Sequence, residues 1–175
     1  MSRGGSPSRS RATGGGGRDT GGRGGPAGRE LQVMAGVLFF TAGMTVLYWV
    51  LYFTTGAVQA ETSEVYKAFE DAFPPADMWM SACAAAAGVG LLRRRSWALL
   101  FGLLGASALI FLGLMDVTYN INQDMYHRMT PEMVFEALIN VWTLGLGALL
   151  IPFLWKRRHL FREWEGQSAA GRRRP

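Results

Sequence analysis

Four apolar stretches, separated by short charged or polar segments, dominate the pattern of this sequence. They cover residues 31–58, 76–92, 96–117 and 133–155. A helix that crosses a bilayer needs about 20 predominantly apolar residues, and these stretches have roughly that length. The pattern therefore predicts an all-α fold, a membrane-embedded bundle of four transmembrane helices.

The segment at residues 61–73 has a different periodicity. Val65, Phe69 and Phe73 repeat every four residues, whereas the charged residues, Glu70 among them, take other positions. This spacing is typical of an amphipathic helix of about three turns, which is too short to span a membrane. We expect a short interfacial amphipathic helix with a solvated charged face.

Small residues mark the second and third spans. The second span is rich in Ala, Gly and Ser, and Ala98, Gly102 and Ala106 repeat every four residues along the third. Small residues on one helix face allow the backbones of two transmembrane helices to approach closely. We expect these two spans to pack against each other, although the same faces also suit a homo-oligomer or another membrane-protein partner.

Residues 1–28 and 159–175 have the composition of tails. The first is rich in Gly, Ser and Arg and has no large apolar residue after Met1, and the second ends in a run of arginines. A segment of the first kind cannot bury enough surface to offset its ordering entropy. We expect a disordered N-terminal tail, a basic C-terminal tail, and contact of both with anionic lipid.

The basic residues also predict the orientation of domain 29–158. With four spans and both termini inside, 16 of the 18 Lys and Arg residues lie on the inner side, all but Lys67 and Arg128. Lys and Arg are enriched in cytoplasmic loops. We therefore expect a protein of the cell (inner) membrane with both termini cytoplasmic. The net charge of +5 is explained by this bias, and we expect no nucleic-acid partner.

Several classes of chemistry are absent from the sequence. Cys83 is the only cysteine, so an intramolecular disulfide and a CxxC redox pair are excluded. The sequence has no phosphate-binding Gly-rich loop followed by Lys, no HExxH motif and no GxSxG motif. We expect no cofactor and no metal.

Polar residues at the outer ends of the spans form the one constellation with potential chemistry. They are Asp77 in the second span, Asp116 in the third, and Glu136 and Asn140 in the fourth. Ionisable groups within spans are costly and often functional. Two chemistries suit them: binding of a hard cation through oxygen ligands, or a shared proton. The structural alternative is that Asp77 and Glu136 complement helix N-termini. That alternative does not cover Asp116, which we expect at a helix C-terminus.

The Asp77–Trp79 helix entry, the LLRRRSWALLFGLL turn and the LGLMDVTYN helix exit resemble those of small four-pass bacterial integral membrane proteins without an assigned function. The resemblance covers residues 31–158 and is one of layout. It implies a four-pass membrane fold and brings neither an activity nor site residues.

Three functional hypotheses follow. The first is a non-enzymatic accessory or interaction protein of the membrane. The second is a small transporter or ligand- or ion-binding protein, in which Asp77, Asp116, Glu136 and Asn140 line an outward-facing pocket. The third and weakest is a membrane enzyme that uses the carboxylates as acid and base on a lipid-like substrate.

Overall fold

The computed structural model describes residues 25–56, 63–127 and 130–171, and within these ranges the chain is helical with no strand. The helices are α1 (Pro26–Thr55), α2 (Glu64–Glu70), α3 (Pro74–Leu92), α4 (Trp97–Asn122), α5 (Pro131–Lys156) and α6 (Arg158–Gly171). A single 3-10 turn, Met125–His127, lies between α4 and α5.

Three of these helices are long and apolar enough to cross a membrane: Ala27–Thr55, Trp97–Asn122 and Pro131–Lys156. Helix α3 is not among them, because its first turn contains two prolines and Asp77 and the rest is largely Ala and Gly. The all-helical fold is thus confirmed, and three of the predicted spans coincide with helices that are long and apolar enough to cross a membrane.

Short-range sequence signals explain several helix ends. Thr130 caps α5, where its side-chain oxygen accepts a hydrogen bond from the Met133 N–H at 3.2 Å, and Pro131 follows at the first helical position. Helix α1 ends at Gly56, whose φ of 68° is the left-handed conformation that glycine adopts at little cost.

The four long helices pack in the order α1, α3, α4, α5, each against the next. The predicted contact between α3 and α4 is present. A Cβ built on Gly90 would lie 2.7 Å from the Cβ of Ala98, and one built on Gly105 would lie 3.5 Å from the Cβ of Cys83. Gly90 is therefore needed for the close approach of these two helices, whereas a Cβ at Gly105 would make ordinary van der Waals contact.

Helix bounds differ from expectation in three places. Helix α1 begins at Pro26, inside the predicted tail, whose residues 1–24 lie outside the described ranges. Helix α4 continues five residues past the predicted end of its span, to Asn122. Helix α2 covers only Glu64–Glu70, and residues 57–62 lie outside the described ranges.

The sequence analysis did not predict helix α6. Its residues Phe161 and Trp164 are buried, lie 5.0 Å apart between ring centroids, and join the apolar core together with Leu154. Their i, i+3 spacing places both rings on one face of the helix, which is why this part of the basic segment docks on the bundle. Below, the "α6 end" of the bundle is the end with α6 and the α3–α4 turn, and the "α2 end" is the opposite one.

Candidate functional site

A cavity of about 330 Å³ lies between α1 and α5 in the half of the bundle nearer the α2 end. Helices α1 and α5 form its two walls, and α3 and α4 form its floor. It exists because α1 and α5 pack on α3 and α4 rather than on each other. We call it the α1–α5 cavity.

All four residues predicted from the sequence line this cavity. Asp77 reaches it from α3, Asp116 from α4, and Glu136 and Asn140 from α5. Because three separate helices contribute them, their convergence is a property of the tertiary structure. The carboxylate of Asp116 interacts with the side chains of both Glu136 and Asn140.

The structure corrects the expected position of Asp116. Helix α4 extends to Asn122, so Asp116 lies six residues before the end of the helix rather than at its C-terminus. The extension also brings Asn120, one turn beyond Asp116 on the same helix face, into contact with Glu136. The sequence analysis placed Asn120 in a loop.

Glu136 is held by two neutral donors. Its Oε1 accepts a hydrogen bond from Asn120 Nδ2 at 2.5 Å, and its Oε2 accepts one from the Tyr66 hydroxyl at 3.4 Å. Tyr66 and Asn120 are both fully buried. Hydrogen bonds of this kind offset part of the cost of burying a carboxylate, but they bring no compensating positive charge.

The Asn120 amide is only partly satisfied. Its Oδ1 is buried and has no hydrogen-bond partner among the described residues, although its Nδ2 contacts Glu136. Buried amide oxygens in folded proteins usually have a donor. An unused acceptor therefore lies directly beside the Glu136 carboxylate.

Asp77 is fixed by an aromatic donor. Its Oδ2 accepts a hydrogen bond of 2.8 Å from the indole N–H of Trp49 on α1. Trp49 is itself buried, against Tyr52 and Phe53 of the same helix. This contact connects the α1 wall of the cavity to its α3 floor.

A fourth carboxylate, that of Glu70 at the end of α2, also lines the cavity and was missed by the sequence analysis. The expected solvated face was wrong here: Glu70 is 6% exposed, whereas Val65 on the predicted apolar face is 67% exposed. The Tyr48 hydroxyl lies 3.5 Å from Glu70 Oε2. Burial, and next the nearby charges of Asp116 and Glu136, raise the pKa of the Glu70 carboxyl to about 8.

The four cavity carboxylates, Glu70, Asp77, Asp116 and Glu136, have no basic partner within the described ranges. No Lys, Arg or His of those ranges lines the cavity. The ion pairs found in the described ranges lie elsewhere: Arg157 with Glu30 at the α6 end, and His127 with Asp124 at the surface. The site therefore brings acidic groups together in an environment that disfavours their charged forms.

The remainder of the lining is mostly apolar and aromatic. The apolar and aromatic side chains are Phe40, Met44, Leu47, Tyr48, Trp49, Leu51, Phe73, Met80, Leu109, Leu112, Phe135, Leu138, Ile139 and Trp142. The site is therefore an apolar cavity with acidic groups at its α2 end. Within the described ranges, no group of three or more His, Cys, Asp or Glu residues lies close enough to hold a metal ion.

Comparisons of the chain with protein-family models, with curated proteins and with solved structures found no match. The functional argument therefore depends on the geometry of the α1–α5 cavity.

Proposed function

We propose that this chain is a four-span integral membrane protein of the cell membrane that binds or transports a small ligand in the α1–α5 cavity. The observation that carries this proposal is the convergence of Asp77, Asp116, Glu136 and Asn140 on one cavity. An accessory protein without a ligand, the first hypothesis from the sequence, does not require buried carboxylates from several helices at a cavity wall.

The size of the cavity supports the proposal. Its volume of about 330 Å³ falls at the lower end of the range of roughly 300–1,000 Å³ that is typical of small-molecule sites. A few placed polar groups in a mostly apolar lining are also typical of such sites.

Helix α3 is the proposed fourth span. Its 19 residues rise about 28 Å at 1.5 Å per residue, close to the thickness of about 30 Å of a hydrocarbon core. It lies between α1 and α4, so much of its surface faces protein rather than lipid. A helix in that position needs small residues for packing more than large apolar residues for contact with lipid.

The distribution of charge supports a cytoplasmic α6 end. Arg93–Arg95 in the α3–α4 turn and Lys156–Arg158 after α5 all lie at this end, and the cavity carboxylates lie toward the other. By the positive-inside bias the α2 end faces outward, and α2 lies at the outer interface.

Cysteine labelling tests the topology. In a Cys83→Ser background, we expect Lys67→Cys on α2 to react with a membrane-impermeant maleimide in intact cells. We expect Arg94→Cys in the α3–α4 turn to react only after the membrane is permeabilised. The reverse pattern, or labelling of both sites from one side, would contradict the four-span arrangement.

Thiol reactivity in the purified protein tests the cavity. Thr45 lines the cavity from α1, whereas Cys83 is 1% exposed in the contact between α3 and α4. A small, membrane-permeable methanethiosulfonate should modify Thr45→Cys over hours at alkaline pH and leave Cys83 of the unaltered chain intact. If both thiols are equally inert, the cavity is closed to small molecules and the proposed function is wrong.

A further inference from the structure

We propose that the α1–α5 cavity takes a lipophilic organic monocation, an ammonium group attached to an aromatic or aliphatic body, and that this cation is bound by the cavity carboxylates. This inference rests on the proposed function and specifies its ligand class.

The charge balance of the cavity carboxylates favours a cation. Asp116 and Glu136 interact directly, and two carboxylates in contact repel each other unless a proton or a cation balances them. The donors found around them are neutral: Asn120 and Tyr66 for Glu136, and Asn140 for Asp116. No basic side chain among the described residues lines the cavity, so either a proton or a positively charged guest supplies the balance, and a cation that enters can replace the proton.

An unused hydrogen-bond acceptor lies at Asn120. Its Oδ1 is fully buried without a partner, while its Nδ2 contacts Glu136. The amide thus presents an oxygen beside a carboxylate, and both groups accept hydrogen bonds. Asn120 lies behind the cavity lining and contacts Glu136, so its oxygen adds to the negative potential at that carboxylate and favours a cationic guest over an anion.

The lining of the cavity favours an organic cation over a metal ion. Ca²⁺ requires six to eight oxygen ligands and Mg²⁺ retains several waters, so both need a polar, hydrated site. Large apolar and aromatic side chains make up most of this lining, and the described residues include no metal-binding group. The faces of Trp142, Tyr48 and Phe40 suit an ammonium group through cation–π attraction and suit an apolar body through burial.

A ligand can reach the cavity from the bilayer. Among the side chains that line the cavity, Leu47 on α1 and Leu138 on α5 are 46% and 62% exposed on the outside of the bundle. In a membrane these side chains face lipid, so the cavity opens between α1 and α5 toward the bilayer. A lipophilic cation concentrates at the membrane interface and reaches such an opening from there.

A pair of probes with the same shape tests the proposal. Benzyltrimethylammonium carries the positive charge, and in neopentylbenzene a carbon atom replaces the nitrogen. Binding of both to the full chain in phosphatidylcholine nanodiscs is measured by saturation-transfer NMR and by competition. We expect the cation to bind at least about tenfold more tightly, since an ion pair at low dielectric outweighs the apolar contacts that both probes share.

Matched variants test which residues bind the cation. Asp116→Asn and Glu136→Gln should each weaken binding of the cation by at least about tenfold and leave binding of neopentylbenzene unchanged. Glu132→Gln, one turn earlier on α5 and exposed, should alter neither. Thr45→Trp should fill the cavity and abolish binding of both probes, which distinguishes the site from partition into lipid. Retained binding of the neutral probe shows that a variant is folded.

The outcomes separate this inference from the proposed function. Equal binding of the two probes, or cation binding that is unaffected by Asp116→Asn and Glu136→Gln, would overturn the cation proposal and leave a small-molecule cavity. If neither probe binds while Thr45→Cys is reactive, the ligand class is likewise wrong. If neither probe binds and Thr45→Cys is as inert as Cys83, both proposals are wrong.

Discussion

Replacing Glu70 by Gln should tighten the docking of α2 on the bundle at alkaline pH. Glu70 is the last residue of α2 and is 6% exposed. Its pKa rises from 4.5 to about 8, chiefly through burial. Gln keeps nearly the same shape and has no charge at any pH.

The sign and size of the effect follow from proton linkage. Between pH 4.5 and 8 the docked state binds more protons than a state in which Glu70 reaches water, so docking weakens as pH rises through this window. The weakening of docking is absent below pH 4.5 and complete above about pH 8. At 1.36 kcal/mol for each pH unit, the rise in pKa corresponds to roughly 5 kcal/mol.

Hydrogen exchange of the α2 amides measures this docking, expressed as protection relative to the intrinsic rate at each pH. The unaltered chain should lose protection between pH 5 and 9, and Glu70→Gln should keep it. Glu64→Gln is the matched control, because Glu64 is exposed at the start of the same helix. The Glu64→Gln variant should change the protection of the α2 amides by the same amount at every pH and should retain the dependence of protection on pH. Protection that is flat with pH in the unaltered chain would refute the reasoning.

Three further predictions concern the bundle itself. Gly147→Ala should destabilise the contact between α4 and α5 by about 1–3 kcal/mol, because its Cβ would lie 2.7 Å from Ile110 Cγ1. Gly145→Ala on the same helix, with no atom within 4 Å of its Cβ, should not lower the thermal midpoint in detergent. Trp49→Phe removes the donor to Asp77 and should cost about 1–3 kcal/mol in the same unfolding assay. Thr130→Ala removes the cap of α5 and should cost about 1 kcal/mol, detected as faster hydrogen exchange in the first turn of that helix.

Features set by local sequence could be predicted. Apolar stretches long enough to span a bilayer predicted helices α1, α4 and α5, and the Thr130–Pro131 pair predicted the start of α5. The packing of α3 on α4 could also be predicted, because a face of small residues has few roles in a helix other than close approach. The four polar residues stood out because ionisable and amide groups are rare in apolar spans.

Features that depend on tertiary contacts could not be predicted. The spacing of Val65, Phe69 and Phe73 suggested one buried face for α2, but the helix is turned so that Tyr66 and Glu70 are buried instead. The periodicity of the apolar residues does not indicate that rotation, because most of the groups that surround Glu70, such as Tyr48 on α1 and Asp116 on α4, come from other helices. Asn120 was missed for a related reason. The polar residues after Val117 resemble a loop, and tertiary contacts of Asn120 with Glu136 and of Tyr119 with Phe69 explain why α4 continues through them.

The cavity itself follows from the order of packing. The small faces of α3 and α4 bring these two helices together, and α1 and α5 then occupy their flanks. Among the described residues, three contacts bridge α1 and α5. In the middle of the bundle the Trp142 indole N–H donates to Thr41 Oγ1 at 3.1 Å, and the Trp142 ring packs edge to face on Phe40 at 5.8 Å between centroids. At the α6 end Arg157 pairs with Glu30.

Toward the α2 end the described residues show no comparable bridge between α1 and α5, and the cavity occupies that space. Helix α2 covers this end through Glu70, which contributes a further carboxylate where positive charge is already lacking. The bundle is thus held together at the α6 end and at mid-depth, and its opposite end combines a cavity, unbalanced carboxylates and a short covering helix. That combination is a reason to look for function at the α2 end.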